Sequence, residues 1–344
     1  MRLDWFILTG TIALAVFGTV MQARTAGEAP SFTPFAVGLL AFVVMAVVCS
    51  GGRVGRALRG RGVWIVWGVA VALMAVLLVV GRRYRGGLYL PGRINPSEMV
   101  KFCTVACAAV WLSRRNTWDE WIRIVPAGLL IAGMIALAGD FGLLAQLALT
   151  VAAMLFVSSW WKGLLAMGAI AGGFWVVALH PTGHLATRFA VWRDPLADMM
   201  GTGWQTLQGL AAVVGGGMSG AGFKMGDVGA VPIATSDFVY AALAKDFGLW
   251  GCAAVLGCWF LVFARGLLTA ARREEEGDSC EALLAAGLVA SIGVQMILNV
   301  AGVLNALPMT GITLPLISRG GSSFIVTLAM CGALVGLSRR PLSD

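Results

Sequence analysis

Long apolar stretches alternate along this chain with short polar connections. A helix needs roughly 20 apolar residues to cross the hydrocarbon of a membrane. Ten stretches qualify: about 5–22, 34–50, 62–80, 97–113, 122–138, 141–158, 161–179, 237–264, 281–304 and 319–337. Closed barrels are the other spanning solution, but they need short alternating strands, and runs such as Val63–Val80 and Leu147–Val157 do not alternate. The pattern predicts an all-α polytopic membrane protein of about ten transmembrane helices. Residues 1–344 form one integral membrane domain, and a long non-spanning loop at about 180–236 joins helices 7 and 8.

Composition supports that class. Length alone would allow two or three soluble domains. Apolar residues are 59% of the 344 and charged residues 12%, against about 25% charged in a soluble domain. Mean hydropathy is +0.85. A soluble, disordered, collagen-like or small disulfide-stapled chain is excluded. The seven cysteines form no CxxC pair, and their plain reading is small apolar filler. His180 and His184 stand four apart, but Pro181-Thr182-Gly183 between them signals a turn, so no zinc site is expected there and the identity of any metal ligands stays unknown. Residues 5–22 lack a small-residue cleavage site and read as the first span rather than a signal peptide.

Cytoplasmic loops carry an excess of Lys and Arg. With the N-terminus inside and ten spans, both termini are cytoplasmic, and fourteen of the 25 basic residues fall inside, at 51–61, 114–123 and 265–273 among others. Of the rest, Arg82, Arg83, Arg85, Arg93, Lys101, Arg188, Arg193, Lys224 and Arg319 concentrate in three connections on the opposite, outer side. Either these loops are simply solvated, or they offset an anionic ligand at the outer surface. The acidic run Glu274-Glu275-Glu276 with Asp278 reads as a solvated loop.

Three constellations then stand out. Asp237 ends the polar stretch Ala234-Thr235-Ser236 and opens the apolar run Phe238-Val239-Tyr240. A carboxylate there is either a helix cap or a boundary base, its proton affinity raised by partial desolvation. Pro96-Ser97-Glu98 precedes Lys101, three residues on and on the same helical face. The pair is either a local ion pair or a lysine poised for a phosphate. From Leu307 to Ser323, Pro308, Gly311, Pro315, Gly320 and Gly321 interrupt an apolar region rich in hydroxyls, including Ser318, Ser322 and Ser323. Irregular backbone at membrane depth is tolerated only when buried in protein or lining a wet cavity. The run Gly215 to Gly222, including Gly217 and Gly222, lacks the Lys-Ser/Thr of a P-loop, so it reads as backbone that turns tightly or approaches a ligand closely.

Together these stretches resemble the SEDS family (shape, elongation, division and sporulation; the RodA and FtsW type). Pro96-Ser97-Glu98 with Lys101 is similar to its P-S-E-x-x-K, and Asp140-Phe141-Gly142 to its D-(L/F)-G. Arg188, Asp194-Pro195, Gly203 and Gln205 are similar to its outer loop, and Ser236-Asp237-Phe238 to its T-D-F. Asn299, Pro308, Thr310-Gly311, Leu314-Pro315, Ser318 and Gly320-Gly321-Ser322-Ser323 are similar to its final signature. The sequence departs from the family at Ala138-Gly139, at Lys245-Asp246, at Arg319 and in lacking a Glu ahead of Ser236-Asp237.

The resemblance implies a glycosyltransferase that polymerises lipid II into peptidoglycan at the outer face of the bacterial cytoplasmic membrane. Asp237 would be the general base and undecaprenyl pyrophosphate the leaving group. Glu98, Lys101, Arg188, Gln205, Ser318, Arg319, Ser322 and Ser323 would contact substrate. Asp140, Gly217, Gly222, Pro308, Gly311, Pro315, Gly320 and Gly321 would shape the cavity. A divalent cation (Mg²⁺ or Mn²⁺) is the implied cofactor. The implied partners are lipid II, undecaprenyl-linked glycan, membrane lipids and a class B penicillin-binding protein, with no nucleic acid. From the residues alone, a lipid-linked saccharide transporter and an inactive membrane scaffold of a cell-wall complex stand as alternatives.

Overall fold

The computed structural model describes residues 4–50, 54–58, 60–84, 87–91, 95–114, 118–159, 163, 165, 167, 168, 184–223, 225, 229 and 231–339. Twelve helices run through these residues: α1 (Trp5–Ala26), α2 (Phe32–Val48), α3 (Val54–Leu58), α4 (Arg61–Val80), α5 (Ser97–Ser113), α6 (Trp118–Leu137), α7 (Phe141–Val157), α8 (His184–Arg193), α9 (Trp204–Gly216), α10 (Val239–Glu275), α11 (Ser279–Val303) and α12 (Gly321–Ser338). Nine of the ten predicted spans are helices. The tenth, about 161–179, lies almost entirely outside the described residues, as do His180 and Lys224. Among the described residues the one sheet pairs β1 (Arg82–Tyr84) with β2 (Gly87–Tyr89), antiparallel with Arg82 opposite Tyr89.

Local chemistry sets the ends. Asp4 caps α1 by accepting from Phe6 N and Ile7 N, and Gly27 closes it in the left-handed region at φ 66°. Asp140 caps α7 through Leu143 N, and Asp278 caps α11 through Glu281 N. Helix α10 continues eleven residues past its expected end near 264. The apolar run stops there, but Arg265–Glu275 still reads as good helix-forming sequence.

Two predicted features differ. The 180–236 segment is not wholly irregular: α8 and α9 lie within it. The buried face of α9 is Thr206, Gly209, Ala212 and Gly216, at three- and four-residue spacing. A stripe of small residues gives a weak apolar signal but lets backbones approach closely. Secondly, α10 is broken at Gly248 (φ 63°, ψ −164°). The glycine run seals that break. Leu249 N and Trp250 N donate to Gly217 O and Met218 O, while Ala221 N and Gly222 N donate to Lys245 O and Asp246 O. A Cβ at Gly216 would overlap Ala244 O, and one at Gly248 would overlap Gly220 N. Gly217 and Gly222 are thus each hydrogen-bonded to the backbone around the break.

Polarity is distributed inside out. Large apolar side chains such as Leu40, Ile65, Val79, Leu129, Phe156 and Phe260 are exposed, whereas Lys101, Gln146, Thr150, Ser291, Gln295, Asn299 and Thr327 are buried. In water the exposed belt would be a large aggregation-prone patch; in lipid it is the ordinary surface. Five helices are long and apolar enough to cross a membrane by length and composition, and shorter apolar helices accompany them. Helix α11 is the central staff, packed against α5, α7, α10 and α12.

Polar contacts sort to two ends of the bundle. At one end Arg265 pairs with Asp4 at 2.6 Å, Glu281 accepts from Gly55 N, and Arg273 donates to Leu337 O. At the other, Arg319 pairs with Glu28 at 2.9 Å, Asn95 N donates to Ser322 Oγ, and Arg188 donates to Met309 O. The start of α1 and the end of α12 share the first end.

Candidate active site

The second end of the bundle gathers the chemistry. Asp237 stands just ahead of α10, whose N-cap is Phe238; of the two roles open from sequence, it does not occupy the cap position. Its surroundings begin with backbone. Thr235 O accepts from Arg319 N at 2.7 Å, Ser236 O from Ser318 Oγ at 2.6 Å, and Asp237 O from Asn299 Nδ2 at 3.0 Å. The same Asn299 nitrogen donates to Ile312 O at 2.7 Å. Residues 235–237 are thus laced to the proline- and glycine-interrupted loop of residues 305–320.

That lacing brings a cation and an anion to one exposed turn. Gly311 adopts φ +75°, where a side chain would be strained. A Cβ built there would sit 3.6 Å from Arg188 Nη2 and 3.9 Å from Asp237 Oδ2. Arg188 is exposed and its Nη1 donates to Met309 O at 3.0 Å. Asp237 is half-buried. Its carboxylate is partly desolvated, reachable beside an exposed turn, and close to a guanidinium.

Beside this centre lies a buried polar network. Lys101 is fully buried and donates to Glu98 Oε2 at 2.7 Å and to Gln295 Oε1 at 2.6 Å. Gln295 Nε2 donates to Thr313 O, Thr313 Oγ1 and Ser323 Oγ, and Gln146 Nε2 donates to Ser291 O and Gln295 Oε1. Asp140 feels Glu98, Lys101 and Arg188 together. Burial pushes its carboxyl above the usual carboxylate range and Glu98 adds to that, while the Leu143 N–H, Arg188 and Lys101 oppose it.

The expected substrate-contacting residues therefore divide. Arg188 and Arg319 are exposed, the latter paired with Glu28. Glu98 is about one-fifth exposed. Gln205 is exposed in the first turn of α9. Ser322 accepts from Asn95 N at 3.0 Å, beside the start of α5. Three of them are engaged inside the protein. The Lys101 ammonium lies between Glu98 and Gln295. Ser318 is buried with its hydroxyl engaged both ways, accepting from Leu314 N and donating to Ser236 O. Ser323 is buried against Gln295 and Thr313. Of the cavity residues, Gly320 caps α12, Gly321 is exposed at its first turn, Pro315 is buried and Pro308 half-buried.

Gln295 did not stand out from sequence, and Asn299 did so only as part of the final signature, although a further signal was present. Ser291, Gln295 and Asn299 recur every four residues inside an apolar span, a polar stripe on one helical face. Arg24, isolated in sequence, closes on buried Asp246 through Nε at 3.1 Å and Nη2 at 3.4 Å. Among the described residues no group of three or more His, Cys, Asp or Glu side chains could hold a metal ion.

The family model described as "Cell cycle protein", covering FtsW, RodA and SpoVE, matches residues 5–341. A relative named "Probable peptidoglycan glycosyltransferase FtsW" from Halomonas elongata is 30% identical over 96% of this chain and 89% of its own length. The "Peptidoglycan glycosyltransferase RodA" of Mycobacterium tuberculosis is 40% identical over 46% of this chain and 34% of its own. A solved structure described as "Structural coordination of polymerization and crosslinking by a peptidoglycan synthase complex" contains a similar chain, with TM-score 0.81, 24% identity and 97% of each chain covered. The crystal structure of Thermus thermophilus RodA is similar at TM-score 0.71 and 24% identity, covering all of this chain and 99% of that one.

Proposed function

Because this chain belongs to the FtsW, RodA and SpoVE family of cell cycle proteins, we propose that it is a peptidoglycan glycosyltransferase that polymerises lipid II, with Asp237 as its general base. Asp237 takes the proton of the acceptor sugar's 4-hydroxyl as that oxygen attacks the anomeric carbon of the donor chain. The bond from that carbon to undecaprenyl pyrophosphate breaks, and the leaving group carries the electron pair. One in-line displacement inverts an α-linked donor to a β-1,4 bond. Arg188 meets the pyrophosphate, since its exposed guanidinium shares the Gly311 turn with the Asp237 carboxylate. Lys101 acts one step back, holding Glu98 and Gln295 in place.

The observation that carries this reading is that the Arg188 guanidinium and the Asp237 carboxylate both lie beside Gly311, on the exposed side of a loop bonded to the start of α10. That end of the bundle is the outer face, given the excess of basic residues in the connections at the other end. The lipid tails lie against the apolar belt. A class B penicillin-binding protein is the crosslinking partner at the outer face. A divalent cation would supply positive charge at the leaving pyrophosphate.

The test is the Asp237→Asn protein, purified and supplied with lipid II. Loss of general-base assistance should lower the turnover rate by about 10²–10⁴. Wild-type chain formation by that variant would remove Asp237 from the role. Glycan product in detergent would also separate polymerisation from transport, which needs a closed vesicle.

A further inference from the structure

The carbonyls of residues 235–237 are held by groups far away in sequence. Asn299 belongs to α11 and Ser318 to the loop before α12. Asn299 is 1% exposed. Its Nδ2 donates to Asp237 O and to Ile312 O, while its Oδ1 is buried with no hydrogen-bond partner among the described residues. The orientation of that amide follows from its neighbours: two carbonyls can be served only by the NH₂ end. The side chain is thus a double donor placed between two carbonyls from separate stretches of chain. Ser318, 3% exposed, does the same work one residue earlier, accepting from Leu314 N at 2.8 Å and donating to Ser236 O at 2.6 Å.

Each of these side chains fixes the start of α10 to the loop that carries Gly311. Beside Gly311 lie the Asp237 carboxylate and the Arg188 guanidinium, the latter bonded to Met309 O of the same loop. We propose that Asn299 and Ser318 are positioning residues. They set the separation of Asp237 from Arg188 and the bound substrate by clamping the Ser236 and Asp237 carbonyls to residues 312–318. This rests on the reading of Asp237 as the general base. Neither residue touches substrate, since both are sealed in the interior. Their loss changes how well Asp237 is aimed, not how tightly lipid II binds. Displacing a reacting group by about 1 Å costs on the order of 100-fold in rate.

The experiment uses the full chain, co-expressed with its transpeptidase partner, and lipid II as probe. Asn299→Ser and Ser318→Ala are made singly and each combined with Asp237→Asn. Folded protein is quantified by size exclusion and thermal unfolding, and kcat and KM are expressed per folded molecule. Each single variant should lower kcat by roughly 10- to 100-fold and leave KM unchanged. In the Asp237→Asn background neither should lower the residual rate further, because with the base gone there is no base left to aim. The positioning role is overturned by wild-type kcat in Asn299→Ser. It is equally overturned by a rise in KM at constant kcat, or by the same loss factor with and without Asp237. If neither variant yields folded protein, both residues are folding elements and the proposal also fails. Failure of the underlying reading looks different: Asp237→Asn alone then polymerises at the wild-type rate.

Discussion

At the scale of single residues, charges that look alike in sequence differ in what surrounds them. Arg188 is exposed and bonded to a loop carbonyl, whereas Lys101 is fully buried between Glu98 and Gln295. Arg188→Gln should therefore lower polymerisation of lipid II and leave the melting temperature unchanged. Lys101→Met should lower both, since breaking a buried ion pair costs about 3 kcal/mol; thermal unfolding beside the activity assay separates the two. Asp140 makes a pH prediction. Its carboxyl binds a proton more tightly folded than unfolded, chiefly through burial. Its contribution to stability is fully present below the ordinary carboxylate range and is lost as pH rises through the raised folded value. As pH is raised from about 4, melting temperature should fall less for Asp140→Asn than for wild type. That Asp237 is a boundary carboxylate was legible in sequence, because a polar stretch gives way to an apolar run there. That Lys101 is sealed was not: its partner Gln295 is 194 positions away, and only packing of α5 against α11 brings them together.

At the scale of elements, α10 is two helices joined at Gly248, and its first half carries Asp237 at its head. Two devices steady that half. The glycine run takes up the hydrogen bonds freed at the break, and Arg24 at the end of α1 clasps Asp246. Gly248→Ala places a Cβ against the backbone of Met218 and Gly220 at a φ that only glycine adopts freely. It should lower the melting temperature and yield less folded protein. Arg24→Gln and Asp246→Asn should each destabilise, and the double variant should cost clearly less than the two together, because each single change strands a charge that the pair compensates. The break leaves little trace in the apolar pattern, which runs on through residue 264. Gly248 hints at it, but the strand of backbone that completes it lies some thirty residues earlier.

At the scale of the whole molecule, apolar side chains face outward and the polar stripe of α11 faces inward. Arg319 is about half exposed at the end of the bundle that holds Asp237. A cysteine placed there should react with a membrane-impermeant maleimide added to intact cells. Six of the seven native cysteines are buried and Cys258 is half-buried, so their background labelling should be low. Protection of the Arg319→Cys protein in whole cells, with labelling only after lysis, would invert the assigned orientation.

The sequence by itself determined the class of molecule, because membrane solvation demands long uninterrupted apolar helices and these are local properties of the chain. It also marked Asp237, Arg188 and the broken loop before α12, since polar and kinked positions are conspicuous against an apolar background. Tertiary structure alone decided which of the marked groups reach the exposed turn at Gly311 and which are consumed as scaffold. That choice depends on hydrogen bonds between residues 13 to 194 positions apart, and such partners are fixed by helix packing rather than by neighbours in the chain.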